Sequence, residues 1–170
     1  MDLLDDWKIR SQVSQVEYSL NSHVKIKGKL FLAGRNILNC HKEYNIDHLI
    51  TMFSFDHKLS GIKHDIYPII DLPNDEWVSQ LEYLLSKISC DINESLEKGL
   101  NVCVHCFAGV SRSPTVVLDF LLTYCEEAKK CESVEEAIEY LGKWRKIVKP
   151  NEGFKKLLQK RHFKEIKIEN

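Results

Sequence analysis

Few residues of the kinds that mark unusual chains occur in this sequence. Seven glycines and four prolines in 170 residues exclude a collagen-like or low-complexity polymer. A composition 44% hydrophobic and 29% charged excludes a largely disordered chain. Neither sign of charge dominates: 24 Lys and Arg face 25 Asp and Glu, a formal net charge of -1. No global field therefore draws the chain to nucleic acid or to an anionic membrane surface, and an anionic ligand has to be met locally. Long apolar runs are also missing, so no membrane span is expected. The opening MDLLDDWKIR has neither the apolar core of a signal peptide nor a Gly at position 2 for a myristoyl anchor. The six cysteines show no paired spacing. Reduced thiols in the cytoplasm or nucleus are expected, rather than a disulfide framework.

Apolar residues with clear periodicity are abundant. Ile9, Val13, Val16 and Leu20 fall at helical spacing and predict an amphipathic helical extension over residues 1–23, ahead of a main domain over 24–170. Residues 29–34, 48–53 and 66–72 read as strands, the last demoted toward an edge or a strand start by Pro68. From Trp77 to Leu96 the apolar residues recur at three and four, which predicts a long helix ended by Gly99. Val102–His105 is a short apolar run before a Gly-containing loop, and Ser113-Pro114 opens the next helix. Ser133 and Glu136 form a capping-box pattern for a helix to about Ile147. Pro150-Asn151 breaks that helix, and Gly153-Phe154 leads the last one. Strands alternating with helices, without linker or repeat, predict one α/β domain: a central, mostly parallel sheet flanked by helices.

The chemistry concentrates in His105-Cys106-Phe107-Ala108-Gly109-Val110-Ser111-Arg112-Ser113. A loop between a strand end and a helix N-terminus can turn several backbone N–H groups inward and cradle a tetrahedral oxyanion. Cys106 opens the loop, where the field that holds a phosphate also favours thiolate over thiol. Arg112 closes it, and its planar fork can grip two phosphoryl oxygens at once. Gly109 supplies the backbone freedom of the turn, and Ser113 is placed to donate to the sulfur. A zinc site from Cys103, His105 and Cys106 is disfavoured, because neighbours along a strand point to opposite faces and no second ligand pair follows. No metal or organic cofactor is required.

This string resembles the protein tyrosine phosphatase superfamily signature: Cys, five residues, Arg, then Ser or Thr. In the form HCFAGVSRSP it is similar to the dual-specificity branch. The resemblance extends over most of residues 24–162, through KLFLAG, NIDHLITMF and KPNEGF. It implies a protein phosphatase acting on phosphotyrosine and phosphoserine or phosphothreonine of protein substrates. Cys106 would be the nucleophile, Arg112 the phosphoryl clamp and Ser113 an aid to thiolate departure, with His105 and Asn151 supporting the loop.

A thiolate displacement needs an acid for the leaving oxygen. Asp71, after the apolar Ile69-Ile70, competes with Asp75, which lies 31 residues before Cys106 and aligns with the family pattern without a gap. The alignment favours Asp75, and the carboxylate left over would serve as a helix N-terminal charge near Trp77. Phe107 and Val110 stand where phosphoinositide phosphatases of the superfamily resemble one another in having Lys, so phosphorylated proteins are the expected partners. A phosphate-binding but catalytically silent scaffold is the rival reading, opposed by Cys106, Arg112 and at least one suitable Asp. The basic residues from Lys149 onward read as a solvated helix face.

Overall fold

The structure is a computed structural model that describes residues 3–20 and 28–163, with side chains from residue 7 in its first helix. Five strands form one sheet: β1 (Ser14–Val16), β2 (Leu30–Ala33), β3 (His48–Thr51), β4 (Lys63–Ile66) and β5 (Val102–His105), in the spatial order β1-β2-β5-β3-β4. β2, β5, β3 and β4 run parallel, and β1 lies antiparallel along β2. Every residue of β2, β3 and β5 is buried, as expected of parallel strands covered on both faces. Alternate residues of each strand feed two cores. Leu30, Leu32, Ile50, Met52, Val102 and Val104 join the larger one, whereas Phe31, Ala33, Leu49 and Cys103 pack into a smaller cluster with Ile37 and Ile46.

Among the described residues six α-helices accompany the sheet: α1 (Leu3–Ser11), α2 (Ile37–Cys40), α3 (Asp75–Glu97), α4 (Arg112–Tyr124), α5 (Val134–Gly142) and α6 (Glu152–His162). α3 buries Leu81, Leu85, Ile88, Ile92 and Leu96 in one stripe. It stops where Gly99 takes φ +85°, a conformation that costs glycine nothing. α5 opens as its sequence specifies: Ser133 Oγ accepts from the Glu136 N–H at 3.2 Å, and the Glu136 carboxylate reaches back to the Glu132 N–H.

Three expectations are corrected. The helix foreseen over residues 1–23 ends at Ser11, and Ser14–Val16 is a strand with Ser14 and Val16 buried and Gln15 exposed. Ser14 and Val16 serve a period of two, because pairing with β2 satisfies an otherwise open sheet edge. The third expected strand is displaced upstream to Lys63–Ile66. Pro68 has no N–H for a ladder, and beyond it the chain curls through close bonds, Ile69 N–H to Tyr67 O and Leu72 N–H to Ile70 O. The helix expected to reach Ile147 ends at Gly142, followed by turns. Residues 21–27, which include the expected domain start at residue 24, and the tail with Lys164 and Lys167 lie outside the described residues.

Candidate active site

β5 is flanked by β2 and β3, and its last residue, His105, is level with Ala33 and Thr51. The chain therefore leaves the sheet at the carboxyl ends of the parallel strands, between two neighbours, and enters α4 seven residues later at Arg112. Open α/β sheets bind ligands at this edge.

The peptide planes of this loop are set from outside. The Phe107 carbonyl accepts from the Arg35 N–H at 3.0 Å and the Val110 carbonyl from the Lys149 N–H at 2.7 Å. The carbonyls between them, of Ala108 and Gly109, accept from Arg145 Nη2 at 3.0 Å and Nε at 2.8 Å. Because a trans peptide carries its N–H opposite its C=O, four consecutive carbonyls held outward turn the following N–H groups inward. One of them shows the direction: the Gly109 N–H points at Cys106 Sγ, 3.2 Å away. Gly109 has φ +66°, and a Cβ there would stand 2.7 Å from the Ala33 carbonyl oxygen, so the turn requires glycine. Ser113 Oγ, from the first turn of α4, donates to the same sulfur at 3.2 Å.

Arg112 opens α4 with its guanidinium spread across the site. Nη1 donates to the Ile69 carbonyl at 3.0 Å and to that of Met52 at 3.4 Å. Nε is buried and has no partner among the described residues, a donor suited to a phosphoryl oxygen.

The segment curled by Pro68 brings Asp71 to the loop. Asp71 Oδ1 accepts from Ser111 Oγ at 2.6 Å and from Asn151 Nδ2 at 2.8 Å. Asn151 also caps α6 through the Phe154 N–H at 2.9 Å, and its own N–H donates to Ser111 Oγ at 2.9 Å. Asp75 makes no hydrogen bond to the loop. It is the first residue of α3, after Asn74, whose side chain accepts the Trp77 N–H, and it lines a separate cavity with Glu82, Glu152 and Lys160. There it does what the macrodipole favours for a carboxylate.

His105 is fully buried, and burial lowers its pKa to about 3, so the ring is neutral. A chain of bonds assigns its proton. The Leu59 N–H donates to His64 Nδ1 at 2.9 Å, which leaves Nε2–H of His64 to donate to Thr51 Oγ1 at 2.7 Å. The Thr51 hydroxyl then donates to His105 Nε2 at 2.6 Å, and Nδ1–H of His105 faces the Cys106 carbonyl at 3.3 Å. Cys103 packs in the smaller core, on the other face of the sheet from the cluster that holds Cys106. Among the described residues no cluster of His, Cys, Asp or Glu could hold a metal.

Three participants escaped sequence reasoning: Thr51, His64 and Arg145. Arg145 is 1% exposed and also binds the Arg10 carbonyl at 3.2 Å, the Gln12 carbonyl at 2.6 Å and Ser14 Oγ at 3.3 Å. A signal existed for it, because Ala137, Leu141 and Arg145 follow one another every four residues and put a cation in line with buried positions.

A loop that cradles a tetrahedral oxyanion and meets it with a sulfur nucleophile performs the chemistry of a cysteine-based phosphatase. The family of dual specificity phosphatase catalytic domains matches residues 30–163. A protein named tyrosine phosphatase 123R, from Invertebrate iridescent virus 6, is 35% identical over 136 residues, 79% of this chain and 87% of that relative. Dual specificity protein phosphatase 1 of Arabidopsis thaliana is 30% identical over 129 residues, covering 75% of this chain; the match spans 59% of the plant protein. The solved phosphatase domain of Yvh1 from Chaetomium thermophilum superposes with a TM-score of 0.65 at 27% identity, over 84% of this chain and 94% of that one. The chain belongs to the dual specificity phosphatase family of cysteine-based protein phosphatases.

Proposed function

We propose that this chain hydrolyses phosphotyrosine and phosphoserine or phosphothreonine on proteins through a phosphocysteine at Cys106, with Asp71 as the acid. The inward amides and Arg112 bind the phosphoryl oxygens. Cys106 Sγ attacks phosphorus, the bond to the leaving oxygen breaks, and Asp71 gives that oxygen its proton. In the second step Asp71 takes a proton from water, whose oxygen attacks the phosphocysteine, and inorganic phosphate leaves. Ser113 Oγ stabilises the departing thiolate by the bond it already makes. The observation that carries this reading is the tie of Asp71, through Ser111 and Asn151, to the loop that Cys106 opens.

Turnover of a small aryl phosphate in EDTA, with a phosphorylated protein trapped by acid quench and lost in Cys106→Ser, tests it. Absence of turnover with intact phosphate binding would leave a phosphate reader. All six cysteines are unpaired, which supports a reducing compartment such as the cytoplasm or nucleus. Microscopy of the tagged chain tests that placement. Among the described residues no helix is long and apolar enough to cross a membrane.

A further inference from the structure

We propose that the groove leading from the catalytic loop past the first helix receives an acidic side chain, an Asp or Glu of the phosphorylated protein, on Arg35. The inference rests on the phosphatase reading and adds the chemistry of the sequence around the phosphoresidue. A cavity of about 260 Å³ begins at Phe107 and Ala108, the two residues after Cys106, and is bounded on its far side by Trp7 and Arg10 of α1. A second, of about 430 Å³, shares Trp7, Arg35 and Asn36 with it and runs on to Phe55. The two adjoin at these shared residues, beside the loop that Cys106 opens, where an extended peptide carrying the phosphoresidue can lie.

The path combines apolar walls with one sign of charge. Trp7 is 69% and Phe107 55% exposed, two large hydrophobic side chains that face the same cavity. The Arg35 guanidinium lies 4.5 Å over the Phe107 ring, and its side chain makes no hydrogen bond among the described residues. That contact holds the guanidinium against the ring and leaves its N–H donors available. Among the described residues no carboxylate lines either cavity.

A carboxylate matches the single fork bidentately, and the short methylene stem of Glu or Asp suits a wall of two rings. A second phosphate fits less well: the catalytic loop meets a phosphate with a ring of amides as well as an arginine, whereas here the guanidinium of Arg35 offers one planar fork. Trp7 lies outside residues 30–163, the span that the family model matches.

The test uses phosphotyrosine peptides that carry Glu, Gln or phosphoserine at positions on either side of the phosphotyrosine, with a small aryl phosphate as reference. The wild-type chain should prefer the best Glu peptide over its Gln counterpart by about tenfold in kcat/KM. Arg35→Ala keeps the backbone N–H on the Phe107 carbonyl and should erase that preference by raising KM for the Glu peptide alone, with each rate taken relative to the same variant's aryl phosphate turnover, and Arg35→Lys should restore part of it. Trp7→Ala should weaken every peptide and leave the aryl phosphate alone. Equal rates on Glu and Gln peptides, or a preference that survives Arg35→Ala, overturns the proposal. Selection of phosphoserine with indifference to Glu also overturns it, giving the groove to a second phosphate. Failure of the wild-type chain to turn over the aryl phosphate would instead overturn the phosphatase reading, so the two failures are distinguishable.

Discussion

Ser111 Oγ lies 2.6 Å from Asp71 Oδ1, joining the catalytic loop to a carboxylate 40 residues earlier in the chain. Asn151 donates to the same oxygen from the opposite end of the sequence. With both donors on Oδ1, Oδ2 is the atom that would carry the proton in the proposed acid role. The same two bonds fix where the segment after Pro68 sits.

Removal of that proton should matter in proportion to the basicity of the leaving group. Asp71→Asn is expected to lose about 10²- to 10⁴-fold in kcat on a phosphotyrosine peptide and far less on an activated aryl phosphate. Asp75→Asn should stay near wild type on both, with a small loss of helix stability, about 0.3–1 kcal/mol. Steady-state rates on the two substrates decide it, and the reverse pattern would return the acid to Asp75.

The nucleophile and the clamp separate binding from chemistry. Cys106→Ser keeps the amides and Arg112, so phosphopeptide binding should persist in calorimetry while hydrolysis vanishes. Arg112→Ala should lose both, and Arg112→Lys should recover little, since an ammonium cannot span the Ile69 carbonyl and a phosphoryl oxygen as a planar fork does. Rates near wild type for Arg112→Lys would remove the bidentate role.

Arg145→Met keeps most of the side-chain volume but strands the carbonyls of Ala108, Gly109, Arg10 and Gln12. Hydrogen bonds to charged groups contribute about 1.5–3 kcal/mol each and are not additive, so a loss of about 3 kcal/mol is expected. Urea unfolding should show it. Limited proteolysis should find cleavage early in the segment around Arg10–Ser14, and aryl phosphate turnover should fall with the loop order. A variant of unchanged midpoint and activity would show that the loop holds its shape without this side chain.

Acid should destabilise the fold before the carboxylates titrate. Burial lowers the pKa of His105 from 6.5 to about 3, and burial also lowers those of His48 and His64. Below pH 6.5 the unfolded chain takes up protons that the folded chain refuses, so stability present above that pH is lost as pH falls toward 3. The slope is up to about 1.4 kcal/mol per pH unit for each such histidine. Asp119, buried among Ser89, Arg161 and His162, is held below its ordinary value by those partners, and its contribution is lost at still lower pH. Urea midpoints should be flat above about pH 7 and fall through pH 6 and 5. A midpoint that rises on acidification contradicts the buried neutral rings.

The helix stripe of α3, its Gly99 stop, the Ser133 cap and the strand before Cys106 are written in local periods and local chemistry, and they stand where the sequence places them. Cys106, Gly109, Arg112 and Ser113 were legible for a related reason: eight neighbouring residues build the loop, and the spacing within them is itself the geometry. The choice between the two carboxylates was not. Asp71 precedes α3 and Asp75 opens it, and only the curl after Pro68, with Ser111 and Asn151 waiting for one of them, ties Asp71 to the loop. Local pattern alone also made a helix of residues 1–23, because Ile9, Val13, Val16 and Leu20 recur at three- and four-residue intervals, a period that does not register the strand between them. The open edge of β2 supplied hydrogen-bond partners that no window of sequence contains, and Arg145 tied the same segment to the catalytic loop from more than 130 residues away.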